Sequence, residues 1–126
     1  MRAVDTNVLV RLLVQDNEVQ VAAAERFLGS GAWVSTVVLA ETIWVLESVY
    51  ELDARAVATA VGMLLAHEKV SLEAGDAVGE AVRLFREKPS LGFSDCLILH
   101  LAKRAGHTPL GTFDAKLGRV DGALKI

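Results

Sequence analysis

The sequence predicts an α/β domain built on a largely parallel sheet. Short β-branched segments alternate with longer segments of helical period along the chain. The 126 residues are 52% hydrophobic, with a mean hydropathy of +0.39, which suits a sheet covered on both faces. No internal repeat, low-complexity segment or linker interrupts the pattern, and the length fits one domain, residues 1–126.

Ala3 and Val4 begin a short strand that runs into Asp5-Thr6-Asn7. Leu9 to Val14 continues as a short helix or as further strand, a choice periodicity alone does not make. A polar stretch, Gln15 to Gln20, leads into a helix at Val19 to Leu28, which Gly29-Ser30-Gly31 ends. AWVS then reads as a buried strand, and Thr36 to Tyr50 has a helical period. Asp53 caps another helix, ARAVATAVGMLLAH; KVSL is a third strand, and Ala74 to Lys88 a helix that Pro89 stops. GFSDCLILHLAKRAG predicts a largely buried helix, PLGT a fourth strand, and Ala123 to Ile126 a last one.

Charge and cysteine content narrow the function classes. A net charge of −3 and a pI near 5.6 argue against a general nucleic-acid coat, which would be basic. They leave room for a nuclease, whose acids cluster at the chemistry. The single cysteine, Cys96, has no internal disulfide partner and reads as packing. No run approaches the roughly 18 uninterrupted apolar residues of a membrane span, and no basic-then-apolar leader opens the chain. A cytoplasmic protein without membrane contact is the expectation.

Four acids stand out against this background. Asp5 follows the first strand, where it serves as a helix cap or as a ligand at the sheet's carboxyl edge. Glu41 has Val37, Val38, Trp44 and Val45 as helical neighbours, which places it on an inward stripe where an unpartnered Glu is rare. Asp95 shares a helical face with Ile98, Leu99 and Ala102; an ionised carboxylate there needs a hydrogen bond, a cation or a metal unless it is only a cap. Asp114, after the fourth strand in GTFD, is a turn residue or a fourth acid.

Two of these acids follow strand ends and two lie near helix beginnings, so the fold can gather them at one end of the sheet. Grouped carboxylates repel, which raises their pKa values unless a cation is present. Oxygen ligands without His or Cys support select Mg²⁺, with Mn²⁺ able to substitute, over zinc. Such a cluster points to metal-dependent phosphodiester chemistry.

DTNVLVRLL at the start, the Glu in STVVLAETIWVL, the FSDCLILHLAKRAG segment and the closing GTFDAKL together resemble the PIN domain, and most closely VapC-type toxins of toxin–antitoxin pairs. The resemblance runs in order from Met1 to the C-terminus. It implies a three-layer α/β/α sandwich whose mostly parallel sheet has about five strands in order 3-2-1-4-5. It further implies a Mg²⁺-dependent endoribonuclease that cleaves RNA and is held in check by a small VapB-type antitoxin, and it implies a homodimer. By position, Asp5, Glu41 and Asp95 match the family's acid trio and Asp114 its more variable fourth acid. Thr6, Asn7, Ser35 and Thr112 match polar positions around the site, and Phe113 stands where many relatives carry Asn. The non-catalytic alternative is a PIN-like module that only binds RNA or protein; it would usually lack one of the acids. A phosphatase of the haloacid dehalogenase type would carry a second Asp two residues after the first, where this chain has Asn7.

The remaining titratable residues carry no such signal. His100 lies toward the polar side of its helix and reads as a surface or interface histidine, while His67 and His107 fall at element ends. Asp16, Glu18, Glu73, Asp76 and Asp121 read as caps or solvated charges. Arg83, Arg86, Lys88, Lys103, Arg104, Lys116 and Arg119 are the cations available to an RNA backbone. Trp33 and Trp44 are expected in the core or at a dimer contact.

Overall fold

Strand β1 (Arg2–Ala3) opens the chain in the computed structural model, which describes residues 1–126. It is followed by α1 (Thr6–Val14), α2 (Glu18–Leu28), β2 (Ala32–Val34), α3 (Thr36–Ser48), α4 (Ala54–Ala66) and β3 (Val70–Leu72). Then come α5 (Gly75–Glu87), a 3₁₀ turn at Pro89–Leu91, α6 (Phe93–Ala105), β4 (Leu110–Thr112), a second 3₁₀ turn at Leu117–Arg119 and β5 (Ala123–Lys125). The α/β class expected from the sequence is the observed one. The segment after Asp5, left open between helix and strand, is helix. No helix is long and apolar enough to cross a membrane.

The chain divides into two units, Met1–Gly75 and Asp76–Ile126. In the first, β1, β2 and β3 form a parallel sheet in the order β1-β2-β3, with Ala3 opposite Trp33 and Val34 opposite Leu72. α1 packs against α2 and α3, and α4 packs against β3. Leu9, Ile43, Leu46, Val57 and Val61 are fully buried here. All four helices start on side-chain caps: Asp5, Asn17, Ser35 and Asp53 each accept an amide from the first turn of α1, α2, α3 and α4.

In the second unit, β4 and β5 pair in parallel, Leu110 opposite Ala123. Its core holds Val78, Ala81, Phe85, Phe93 and Leu99, and Phe85 meets Phe93 edge-to-face with ring centroids 5.9 Å apart. The strands thus fall into two sheets, keeping the partial orders 3-2-1 and 4-5 rather than one five-stranded sheet. Short strands account for this: β1 has two residues, both exposed, and ladders only with β2.

Two packing expectations are corrected. Glu41 does not lie on an inward stripe: it is exposed, as are its neighbours Val37 (75%) and Trp44 (64%). The buried face of α3 is instead Leu39, Thr42, Ile43 and Leu46. Nor are the tryptophans core residues, since Trp33 is 38% exposed on the outer side of β2, whose Ala32 and Val34 point inward. The helix around Asp95 is also less enclosed than its composition suggests, with Ile98 half exposed.

Candidate active site

In a parallel sheet every strand points the same way, so residues just past the strand ends share one edge. In Met1–Gly75 that edge carries Asp5 after β1, Ser35 after β2 and Glu73 after β3. Asp5 is extended at φ −96°, and its Oδ1 accepts the Val8 amide at 3.3 Å. Ser35 Oγ accepts the Val38 amide at 3.1 Å, so its hydroxyl oxygen serves the entry to α3. Asp5 is therefore a cap in fact; one oxygen is used in this way, and the carboxylate remains exposed.

Glu41 sits one turn and a half into α3. Its Oε1 accepts a hydrogen bond from the Thr6 hydroxyl, which is buried at the start of α1 directly after Asp5. The structure therefore brings Thr6 and Glu41 together, and Thr6 directly follows the Asp5 cap in the chain. Asn7, next in the chain, is exposed. It lines a mostly apolar groove of about 310 Å³ between α1 and α2, together with Gln20, Ala23 and Phe27.

The Glu73 carboxylate, read from the sequence as a cap or solvated charge, is a cap of unusual reach. Its Oε1 accepts both the Thr36 amide (2.8 Å) and the Thr36 hydroxyl (3.2 Å), fastening the end of β3 to the start of the helix that carries Glu41. No sequence signal announces a pair 37 residues apart. Asp16 likewise gains partners invisible in the sequence, accepting from Arg11 and from the Tyr50 hydroxyl (3.0 Å).

In Asp76–Ile126, Asp95 is the third residue of α6 and half-buried. It is not the helix cap. That position is Gly92, whose φ of 82° suits a residue without a side chain and which offers no side-chain cap. Asp114 is fixed by local bonds: its Oδ1 accepts the Lys116 amide (2.7 Å) and the Leu117 amide (3.0 Å), and its own amide donates to Thr112 Oγ1 (3.0 Å). Those two backbone donors hold its carboxyl below the usual carboxylate range. Asp95 moves the other way, pushed up by burial and then by the negative charge of Asp114. Asp114 is kept ionised by its amides, so its charge adds to the effect of burial on Asp95.

Cys96, fully buried beside Asp95, has its thiol pushed up to about 11, mainly by burial, and is inert packing. His100 is shifted down by burial and by Lys103.

No three His, Cys, Asp or Glu side chains stand in a metal-holding group. The donor chemistry nonetheless fits a hard divalent cation. Asp95 and Asp114 supply oxygen alone, carry charge that repels and stand in no ion pair, although the Lys116 charge acts weakly on Asp114. No curated protein and no solved structure matches the chain. A family model described as the PIN domain matches residues 2–123. Because that match covers all but the ends of the sequence, the chain belongs to the PIN domain family, a nuclease fold whose members typically depend on divalent metal ions.

Proposed function

We propose that this protein is a Mg²⁺-dependent endoribonuclease and the toxin of a type II toxin–antitoxin pair, acting in the cytoplasm. The observation that carries the reading is the coupled pair in the second unit. Asp114 is held ionised by two amides, and Asp95 is raised first by burial and then by that charge, an arrangement that a bound cation would relieve. Family membership supplies the nuclease class. Asp5, Glu41, Asp95 and Asp114 are the residues proposed to hold Mg²⁺. Bound Mg²⁺ supplies Lewis acidity toward the phosphate and eases deprotonation of water.

The chain's own contribution is positioning. Thr6 orients Glu41 through its hydroxyl, Ser35 and Glu73 fix the first turn of α3, and Thr112 with the Lys116 and Leu117 amides fixes Asp114. Water attacks phosphorus in line; the new P–O bond forms as the bond to the 3′ oxygen breaks. The 3′ oxygen takes a proton, leaving a 3′-hydroxyl and a 5′-phosphate. A homodimer and a small VapB-type antitoxin complete the proposal as partners.

Incubating the purified protein with tRNA and rRNA, with and without Mg²⁺, tests the activity; metal-dependent fragments with 5′-phosphate ends are expected. Expression of the chain alone should arrest growth of its host, and coexpression with the cognate antitoxin should restore it. Metal binding with no cleavage of any RNA would favour the non-catalytic module instead, and harmless overexpression of folded protein would sink the toxin role.

A further inference from the structure

The structure sorts the cations that the sequence leaves undifferentiated. Arg83 is committed to Glu80, Arg104 to Asp76 at 2.9 Å and Lys103 to Asp121 at 4.0 Å. Lys88, Lys116 and Arg119 stand in no ion pair. These three line one cleft of about 450 Å³, which the 3₁₀ turn at Pro89–Leu91 also lines. Glu87 also lines it, leaving three cations against one carboxylate. Unpaired like charges around a concave wall attract a polyanion more strongly than the same charges spread over a convex face.

The cleft is tied at both ends to the candidate acids of its own unit. Lys116 and Arg119 lie on the turn that Asp114 organises, since Asp114 Oδ1 accepts the Lys116 amide at 2.7 Å. On the other wall, Leu91 leads through Gly92 into the first turn of α6, which carries Asp95. This connectivity puts the cleft on the same two segments as Asp95 and Asp114, where the phosphates that neighbour a phosphodiester held by those acids could reach it.

We propose that Lys88, Lys116 and Arg119 form a subsite for the RNA phosphates that flank the cleaved bond, giving affinity without sequence reading; this rests on the nuclease assignment above. Phosphate contacts of this kind bind ground state and transition state alike, so they act on KM and on salt dependence rather than on kcat.

The test compares wild type with the triple variant K88A/K116A/R119A and with the control R83A/R104A, which removes two ion-paired cations. Thermal melts confirm that each is folded, and the singles K116A and R119A replace the triple if it is not. Binding of fluorescein-labelled oligouridylate is titrated in EDTA across a salt series, and the apparent KM and kcat for tRNA are measured in Mg²⁺. The triple variant should bind at least about tenfold more weakly at low salt. Its plot of log affinity against log salt should be flatter by about 2, from roughly 0.7 per lost single-strand contact. KM should rise with kcat nearly unchanged, and the control should follow wild type. Oligothymidylate bound as tightly as oligouridylate would support a phosphate subsite that ignores the sugar. The proposal is overturned while the nuclease reading survives if wild type cleaves tRNA but the triple variant keeps its KM and salt slope, or if the control loses as much. It is overturned together with that reading if wild type cleaves no RNA, or binds polyglutamate and not oligouridylate.

Discussion

The hydroxyl of Thr6, at the start of α1, donates to the carboxylate of Glu41 on α3, across 35 residues of sequence. Thr6 is buried and Glu41 is exposed, so the bond ties a solvent-facing carboxylate to a buried hydroxyl. Thr6→Val keeps the shape and deletes the donor. RNA cleavage should fall by tenfold or more, with the melting temperature changed little, since a single hydrogen bond contributes about 0.5–1.5 kcal/mol net. Thr6→Ser should retain most activity. Wild-type cleavage by Thr6→Val would show that Glu41 needs no such support.

Asp5 both caps α1 and is proposed to hold metal, and two substitutions separate these roles. Asn caps as well as Asp does, so Asp5→Asn should preserve stability while abolishing cleavage. Asp5→Ala should lose both, at about 0.5–2 kcal/mol for the cap. Chemical denaturation and a tRNA cleavage assay measure the two effects. Cleavage by Asp5→Asn at the wild-type rate, at low Mg²⁺, would reduce Asp5 to a cap.

Asp16 gives the protein an acid-sensitive clasp. Its carboxyl is held below the usual range, first by the hydrogen bond from Arg11 and then by that from Tyr50, opposed by burial. A depressed folded-state pKa contributes stability that is complete above the unfolded value of about 3.9 and is lost as pH falls through the folded value. Asp16→Asn should therefore be less stable than wild type at neutral pH, and the gap should close on acidification. Urea melts across the acid range check this. A constant gap would place the contribution in packing rather than in charge.

The alternation of strand and helix was legible because each element carries its own local signals. Asp5 and Asp53 cap where the sequence offers caps, and Gly29, Pro89 and Gly106 stand at helix ends. The face of α3 was not legible. Val37, Val38, Leu39, Ile43, Trp44, Val45 and Leu46 put apolar groups all round that helix, so spacing does not say which side is buried, and Glu41 was turned inward. Long-range pairs such as Glu73 with Thr36 and Asp16 with Tyr50 depend on tertiary packing and leave no local trace. The same holds for the grouping of Lys88 with Lys116 and Arg119, which lie on separate segments.

Asp95 separates a structural acid from a working one. It is half-buried, raised by burial and by the charge of Asp114, and the cap position of its helix belongs to Gly92. Without metal at neutral pH, keeping it ionised costs stability. Asp95→Asn in EDTA should then melt no lower than wild type, and Asp95→Ala should not show the loss of about 0.5–2 kcal/mol that a cap removal brings. A divalent ion held by the proposed acids would bind only the native state, so Mg²⁺ or Mn²⁺ at a hundredfold excess over Kd should stabilise wild type by about 2.7 kcal/mol. The response of Asp95→Asn should be much smaller at the same concentration. Melting curves of the three proteins in EDTA and in Mn²⁺ decide the matter. If wild type gains nothing from metal and Asp95→Ala alone is destabilised, Asp95 is a structural residue and the proposed metal site is wrong.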